Sequence, residues 1–137
     1  MTEPFDLKRV IDTNNQAAFN RWVGIEVVSA RAGQSELQVH WKDDLGQYAG
    51  FLHAGVIAGL LDTACGFAAA TVVGNVLASH FSMNCMAPAV GSSFVVKGEV
   101  VRAGKRQTFT RANLFALSPD GSAKHVASGE TILLPVA

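Results

Sequence analysis

Residues His53–Val73, HAGVIAGLLDTACGFAAATVV, decide the architecture. From Ala54 onward this run carries a single charge, Asp62, together with three glycines and two threonines. It is just long enough to cross a bilayer. It nevertheless holds an acid at its middle and is followed by alternating strands, which do not span membranes singly. The run therefore reads as a buried helix of a soluble, cytoplasmic protein, not as a membrane anchor.

A helix that is apolar all round must be covered all round, and the flanking sequence supplies the cover. After Gly74-Asn75 the hydrophobic period changes to two. Val76–Met86, Ser93–Arg102, Thr108–Ser118 and Lys124–Leu134 read as four strands joined by short antiparallel connections. Ala87-Pro88, Ala103-Gly104-Lys105 and Pro119-Asp120-Gly121 supply the turns. Before the helix, Gly24–Arg31 and Ser35–Trp41 form two strands around Ala32-Gly33, with Leu37, Val39 and Trp41 on one face. The first residues, Phe5–Trp22, have helical spacing with a weak point at Thr13-Asn14-Asn15. The expectation is one α+β domain over residues 1–137, with an N-terminal helical segment at 1–22. Its curved antiparallel β-sheet wraps one long central helix.

Composition narrows the function. The chain has 137 residues, 49% hydrophobic and 16% charged, with eleven Lys+Arg against eleven Asp+Glu. A duplex nucleic-acid binder needs a basic surplus to neutralise phosphates, and none exists. So neutral a surface has little charge to keep copies apart, which fits a homo-oligomer. Cys65 and Cys85 lie in apolar stretches and read as buried thiols in a reducing compartment. His40, His53, His80 and His125 are dispersed without ligand spacing, so no metal is expected. Hydrolase-elbow and nucleotide-loop motifs are absent from the sequence.

Asp62 is the most informative residue. A carboxylate among Val, Ile, Leu, Ala and Gly must find a partner, shift its pKa or face a cleft. Its same-face neighbours Ala58, Gly59, Cys65 and Gly66 are small, which predicts a close approach of something beside the acid. The alternative is a structural acid bonded to a neighbouring chain. His53-Ala54-Gly55 opens the helix, where free N–H groups and the positive dipole end can hold a developing oxyanion. The alternative there is simple capping. Nine residues separate His53 from Asp62, about 13.5 Å along a helix, so one chain cannot bring both to one reacting atom. If both act, an antiparallel helix of a second subunit must complete the site. Lys97, Arg102, Lys105, Arg106 and Arg111 cluster within fifteen residues, either as a solvated hairpin end or as a phosphate contact.

The stretch His53–Gly66 resembles the central-helix motif of hotdog-fold thioesterases of the phenylacetate-degradation and 4-hydroxybenzoyl-CoA type. Asn84-Cys85-Met86-Ala87-Pro88-Ala89 resembles their strand ending in a proline turn. Arg102-Ala103-Gly104-Lys105-Arg106 resembles their next hairpin, and Ala127-Ser128-Gly129-Glu130-Thr131 their last strand. The resemblance implies hydrolysis of acyl-CoA thioesters at a dimer interface, in a dimer or a dimer of dimers, with no cofactor beyond the substrate's own coenzyme A. By matched position, Asp62 is the catalytic general base or nucleophile, and the Ala54 N–H, with His53 before it, polarises the thioester carbonyl. Gln47 stands where many members have an asparagine that orients substrate or water. Ala54 replaces the family's glycine, and Gly66 stands where some members have a hydroxyl; others carry it on the next strand, where Ser79 is the candidate substitute. Gly55, Ser79, His80, Arg102, Lys105 and Arg106 are the expected substrate or coenzyme A contacts. A hydratase or dehydratase acting on acyl thioesters and a non-catalytic acyl-CoA-binding protein are the competing readings.

Overall fold

The computed structural model describes residues 2–136, so Met1 and Ala137 of the expected domain lie outside it. Two short helices, α1 (Leu7–Gln16) and α2 (Ala18–Val23), lead into strands β1 (Glu26–Arg31) and β2 (Gln34–His40). A 3-10 turn at Asp43–Leu45 precedes the central helix α3 (Ala54–Val73). Strands β3 (Val76–Cys85), β4 (Ser93–Ala103), β5 (Thr108–Leu117) and β6 (Ala123–Pro135) follow. All six strands form one antiparallel sheet that wraps α3, as the change of period predicts.

The strand order is β1-β2-β4-β5-β6-β3, which corrects one expectation. β3 does not form a hairpin with β4. It pairs with β6, from Val76 opposite Pro135 to Cys85 opposite Ala127, so the Ala87-Pro88 segment is a crossover and not a hairpin turn. Period-two alternation identifies a strand but carries no information about its neighbour. β3 consequently lies at the edge of the sheet. The same placement leaves Cys85 exposed, against the expectation of two buried thiols, while Cys65 is fully buried.

The N-terminal helix is broken, though at Ala17 instead of Thr13–Asn15. Asp6 caps α1, its carboxylate accepting from the Arg9 N–H at 2.9 Å. Asn14 is buried: its amide donates to the Ile25 carbonyl and its oxygen accepts from the Asn20 amide, each at 2.9 Å. These bonds fasten both short helices to the start of β1. Gly24, at φ +83°, ends α2 in the left-handed conformation that glycine adopts without strain.

α3 is long and apolar enough to cross a membrane, but here it is the core. Leu60, Leu61, Ala64 and Cys65 are wholly buried against Leu37, Val96, Leu114 and Val126 of the sheet. The tightest seat is at Ala64. Its carbonyl accepts from Ser35 Oγ at 2.7 Å, and a Cβ at Gly98 would stand 2.4 Å from that same oxygen. By contrast, a Cβ at Gly66 would meet nothing within 4 Å. Gly98→Ala should therefore cost about 1–3 kcal/mol through overpacking, whereas Gly66→Ala should be neutral or gain up to about 1 kcal/mol in helix propensity. Urea unfolding of the two variants checks the contrast, and equal effects would contradict it.

Candidate active site in two half-clefts

The residues singled out in the sequence fall into two separate clefts. Gln47, His53 and Ala54 line one of about 500 Å³, together with Cys85, Met86 and Pro88 after the edge strand. Asp62 lines the other, about 310 Å³, with Thr63 and Gly66 of α3, Thr13 and Asn20 of the N-terminal helices, and Leu133 of β6. Neither of these two clefts holds both Asp62 and the start of α3, in keeping with their separation along the helix.

At the helix start, His53 is the N-cap of α3. The Gly55 N–H donates to His53 Nδ1 at 2.8 Å. Gly55 is thus already paired and is not one of the free N–H groups expected at this helix start. The Ala54 N–H, at the first helical position, has no acceptor among the described residues. Because Nδ1 accepts, the proton of the neutral His53 ring sits on Nε2. Gln47 is turned back on its own loop, its side-chain oxygen accepting from the Ala49 N–H.

Asp62 is half-buried, and no hydrogen bond or ion pair among the described residues reaches its carboxylate. Burial pushes its pKa above the ordinary value of 3.8. The flanking glycines play different parts. Gly59 receives Phe19 of the same chain, whose ring would lie 2.6 Å from an added Cβ, so a residue of α2 makes the close approach there. Gly66 faces open space in the cleft. Cys65 is a structural thiol, its pKa raised by burial although the Thr110 and Thr131 hydroxyls beside it act in the opposite direction.

The remaining expected contacts are dispersed. Ser79 sits at a bulge in β3, its hydroxyl donating to the Ile132 carbonyl at 3.2 Å, and His80 is exposed beside it; neither lines the two clefts. Arg102, Lys105 and Arg106 are exposed around the β4–β5 hairpin without an ion-pair partner among the described residues, whereas Lys97 faces Glu36 and Arg111 bonds Glu99. The hairpin lies toward the C-terminal end of α3, since Val100 and Val72 both lie 3.4 Å from a Cβ built at Gly33. Sequence reasoning missed Thr13, Asn20 and Thr63. Only the weak helical spacing at Thr13-Asn14-Asn15 hinted that this segment did more than pack.

The sequence pattern of the thioesterase superfamily matches residues 49–123, more than half of the chain. The chain belongs to the thioesterase superfamily. A thioesterase family protein from Silicibacter pomeroyi is 31% identical, with a TM-score of 0.89 over 93% of this chain and 95% of that one. The PaaI protein from the phenylacetic acid degradation operon of E. coli superposes with a TM-score of 0.78 over 93% of this chain and 94% of its own. At 17% identity that likeness speaks for the fold alone. A Saccharolobus solfataricus protein described as a candidate esterase is 24% identical over 86 residues. That match spans 61% of this chain and 61% of the relative's length. The fold of this superfamily member is the hotdog, and its family supports thioester hydrolysis as the general class of chemistry.

An uncompensated, half-buried acid has a thermodynamic signature. The native state binds the Asp62 proton more tightly than the unfolded chain does, so this group's stabilising contribution is full below the unfolded pKa and is lost as pH rises through the folded one. Asp62→Asn should accordingly melt at a higher temperature than the wild type at neutral pH. The difference should vanish near pH 3, roughly below both pKa values. A lower melting temperature for the variant at neutral pH would mean that an unseen partner stabilises the carboxylate.

Proposed function

We propose that this protein hydrolyses acyl-CoA thioesters at a site shared by two copies of the chain, with Asp62 of one subunit facing Ala54 of the other. The observation that carries the reading is the unpartnered, desolvated Asp62 carboxylate in a cleft of its own. A half-buried acid with no structural bond to make is an acid held for something that enters the cleft.

The sheet edges favour such a pair. β1 is short, bulged and ends in charges at Glu26 and Arg31, the features that blunt an edge. β3 runs ten residues without Asp, Glu, Lys or Arg, is exposed along much of its length, and offers unpaired backbone groups. Two-fold pairing through β3 sets the two α3 helices antiparallel, the arrangement in which the start of one meets the middle of the other. The thioester carbonyl then accepts from the Ala54 N–H at the positive end of α3. Asp62 takes a proton from water as its hydroxyl adds to the carbonyl carbon. When the C–S bond breaks, the coenzyme A thiolate takes that proton back, so the reaction closes without a resident metal or cofactor. A raised pKa makes Asp62 the stronger base for this step, and direct attack by the same carboxylate is the other route. The hydratase reading draws no support from this geometry, since His53 Nδ1 is committed to Gly55. A reducing cytoplasm suits the free thiols of Cys65 and Cys85.

The antiparallel arrangement also orients coenzyme A. The acyl group enters the Asp62 cleft, and the nucleotide extends the opposite way, toward the C-terminal end of the α3 that supplied Ala54. That end carries Arg102, Lys105 and Arg106 of the same subunit. Replacing Arg102 and Arg106 together should raise KM for a CoA thioester, more at low salt than at high. It should leave a truncated thioester without the nucleotide nearly unchanged. An equal, salt-independent loss on both substrates would assign these arginines to the fold.

Ala54→Pro removes the N–H at the first helical position, where proline is well tolerated, and His53 already has the extended backbone that precedes proline. Ala54→Pro and Asp62→Asn should each lower kcat by about a hundredfold or more with the fold intact. Mixed and reassembled, they should recover roughly a quarter of wild-type activity, because half of randomly paired dimers carry one intact composite site. Absence of recovery in verified mixed dimers would refute a site shared between chains.

A further inference from the structure

Resting on the hydrolase reading above, we propose that α1 and α2 close an acyl chamber over Gly66, and that the chamber takes a medium-chain acyl group. The Asp62 cleft follows α3 from Asp62 to Ala70, eight residues or about 12 Å of helix. Its far end is shut by Phe5, whose N–H donates to the Ala70 carbonyl at 2.8 Å. Thr13, Ala17 and Asn20 form one wall, and β3 with Leu133 forms the other. Phe5, Phe67, Ala70 and Leu133 make the deep part apolar, so an acyl chain with its carbonyl at Asp62 extends into hydrocarbon surroundings. An acetyl group would leave that part unused.

Gly66 sits where the chain must pass, one turn beyond Asp62, with no atom within 4 Å of the place a Cβ would take. The neighbouring Gly59 is already filled by Phe19, so Gly66 is the glycine whose open side belongs to the ligand. The N-terminal wall also lies outside residues 49–123, the part matched to the superfamily. One wall of the chamber is therefore built from sequence outside that part, while Gly66 on the facing helix lies within it.

S-alkyl-CoA thioethers carry the chain without a scissile carbonyl, and their binding to the full-length protein by calorimetry separates size selection from hydrolysis. Wild-type affinity should rise about fourfold per methylene from ethyl to octyl, as each enters the apolar chamber. Gly66→Leu, which raises helix propensity, should leave S-ethyl-CoA within about twofold and weaken S-octyl-CoA tenfold or more. Ala17→Leu fills the same space from the opposite wall and should reproduce the truncation, which covers the case of a poorly folding Gly66 variant. Parallel chain-length profiles in wild type and both variants overturn the chamber even if acyl-CoAs are hydrolysed, as does an equal loss for short and long chains or no binding at all. Chain-length sorting without turnover of the matching acyl-CoAs would retain the chamber and remove the hydrolase reading.

Discussion

The seat of α3 at Ala64 orients everything that matters in this molecule. The Ala64 carbonyl presses on Gly98 of β4 and is held by Ser35 Oγ at 2.7 Å, so the central helix can neither rotate nor withdraw. Asp62 lies two residues earlier, which at 3.6 residues per turn is about 200° around the helix. Fixing Ala64 against the sheet thus fixes Asp62 on the far side, toward the N-terminal helices and the edge strand. A second close approach, where a Cβ at Gly129 would come within 3.2 Å of Leu61, keeps β6 on the same helix. The acid needs no hydrogen bond to hold its direction, because packing two residues away already sets it.

That division explains why a costly group persists in an apolar helix. An aspartate with a structural duty would have a donor to lower its pKa, as Asp120 has in the Ser122 N–H at 2.9 Å. Asp62 has burial alone, and its pKa moves the other way. On the proposed reading, stability is given up at a position where a carboxylate of enhanced basicity is useful, a common exchange at functional sites. The start of α3 shows the complementary economy. His53 satisfies one orphan N–H, while the Ala54 N–H has no acceptor among the described residues and Ala54 lines the 500 Å³ cleft. Each of the two clefts holds one of the two features, and the proposed reading therefore couples the chemistry to assembly.

Much of this was legible in the sequence because α3 is a local pattern. Its bounds, its capping histidine and its lone acid can be read from residues 53–73 without knowing their neighbours. That one chain cannot bring His53 and Asp62 to one atom follows from helical rise alone. What escaped depends on segments distant in sequence. Alternation could not tell that β3 pairs with β6, so the exposure of Cys85 was misread along with the Ala87-Pro88 crossover. The small residues beside Asp62 correctly announced a close approach, but only the fold shows Phe19 at Gly59 and open space at Gly66. Ser79 and His80 matched by position, yet a bulge between Ala78 and His80 and the edge location leave them outside both clefts.

The N-terminal helices form a wall and not a flap, because of how they are fastened. Asn14 and Asn20 are buried amides bonded to each other, and Asn14 is bonded onward to the Ile25 carbonyl. Opening that relay inside the protein would strand polar groups away from water, which costs more than the bonds contribute when made. The chain before α1 is pinned independently, through Phe5 to Ala70 and through the Thr2 hydroxyl, which accepts from the Asn75 N–H at 2.6 Å. Swinging the helices away would break both fastenings and expose Val10 and Val23, which are almost wholly buried. The Asp62 cleft therefore has a fixed width on this side.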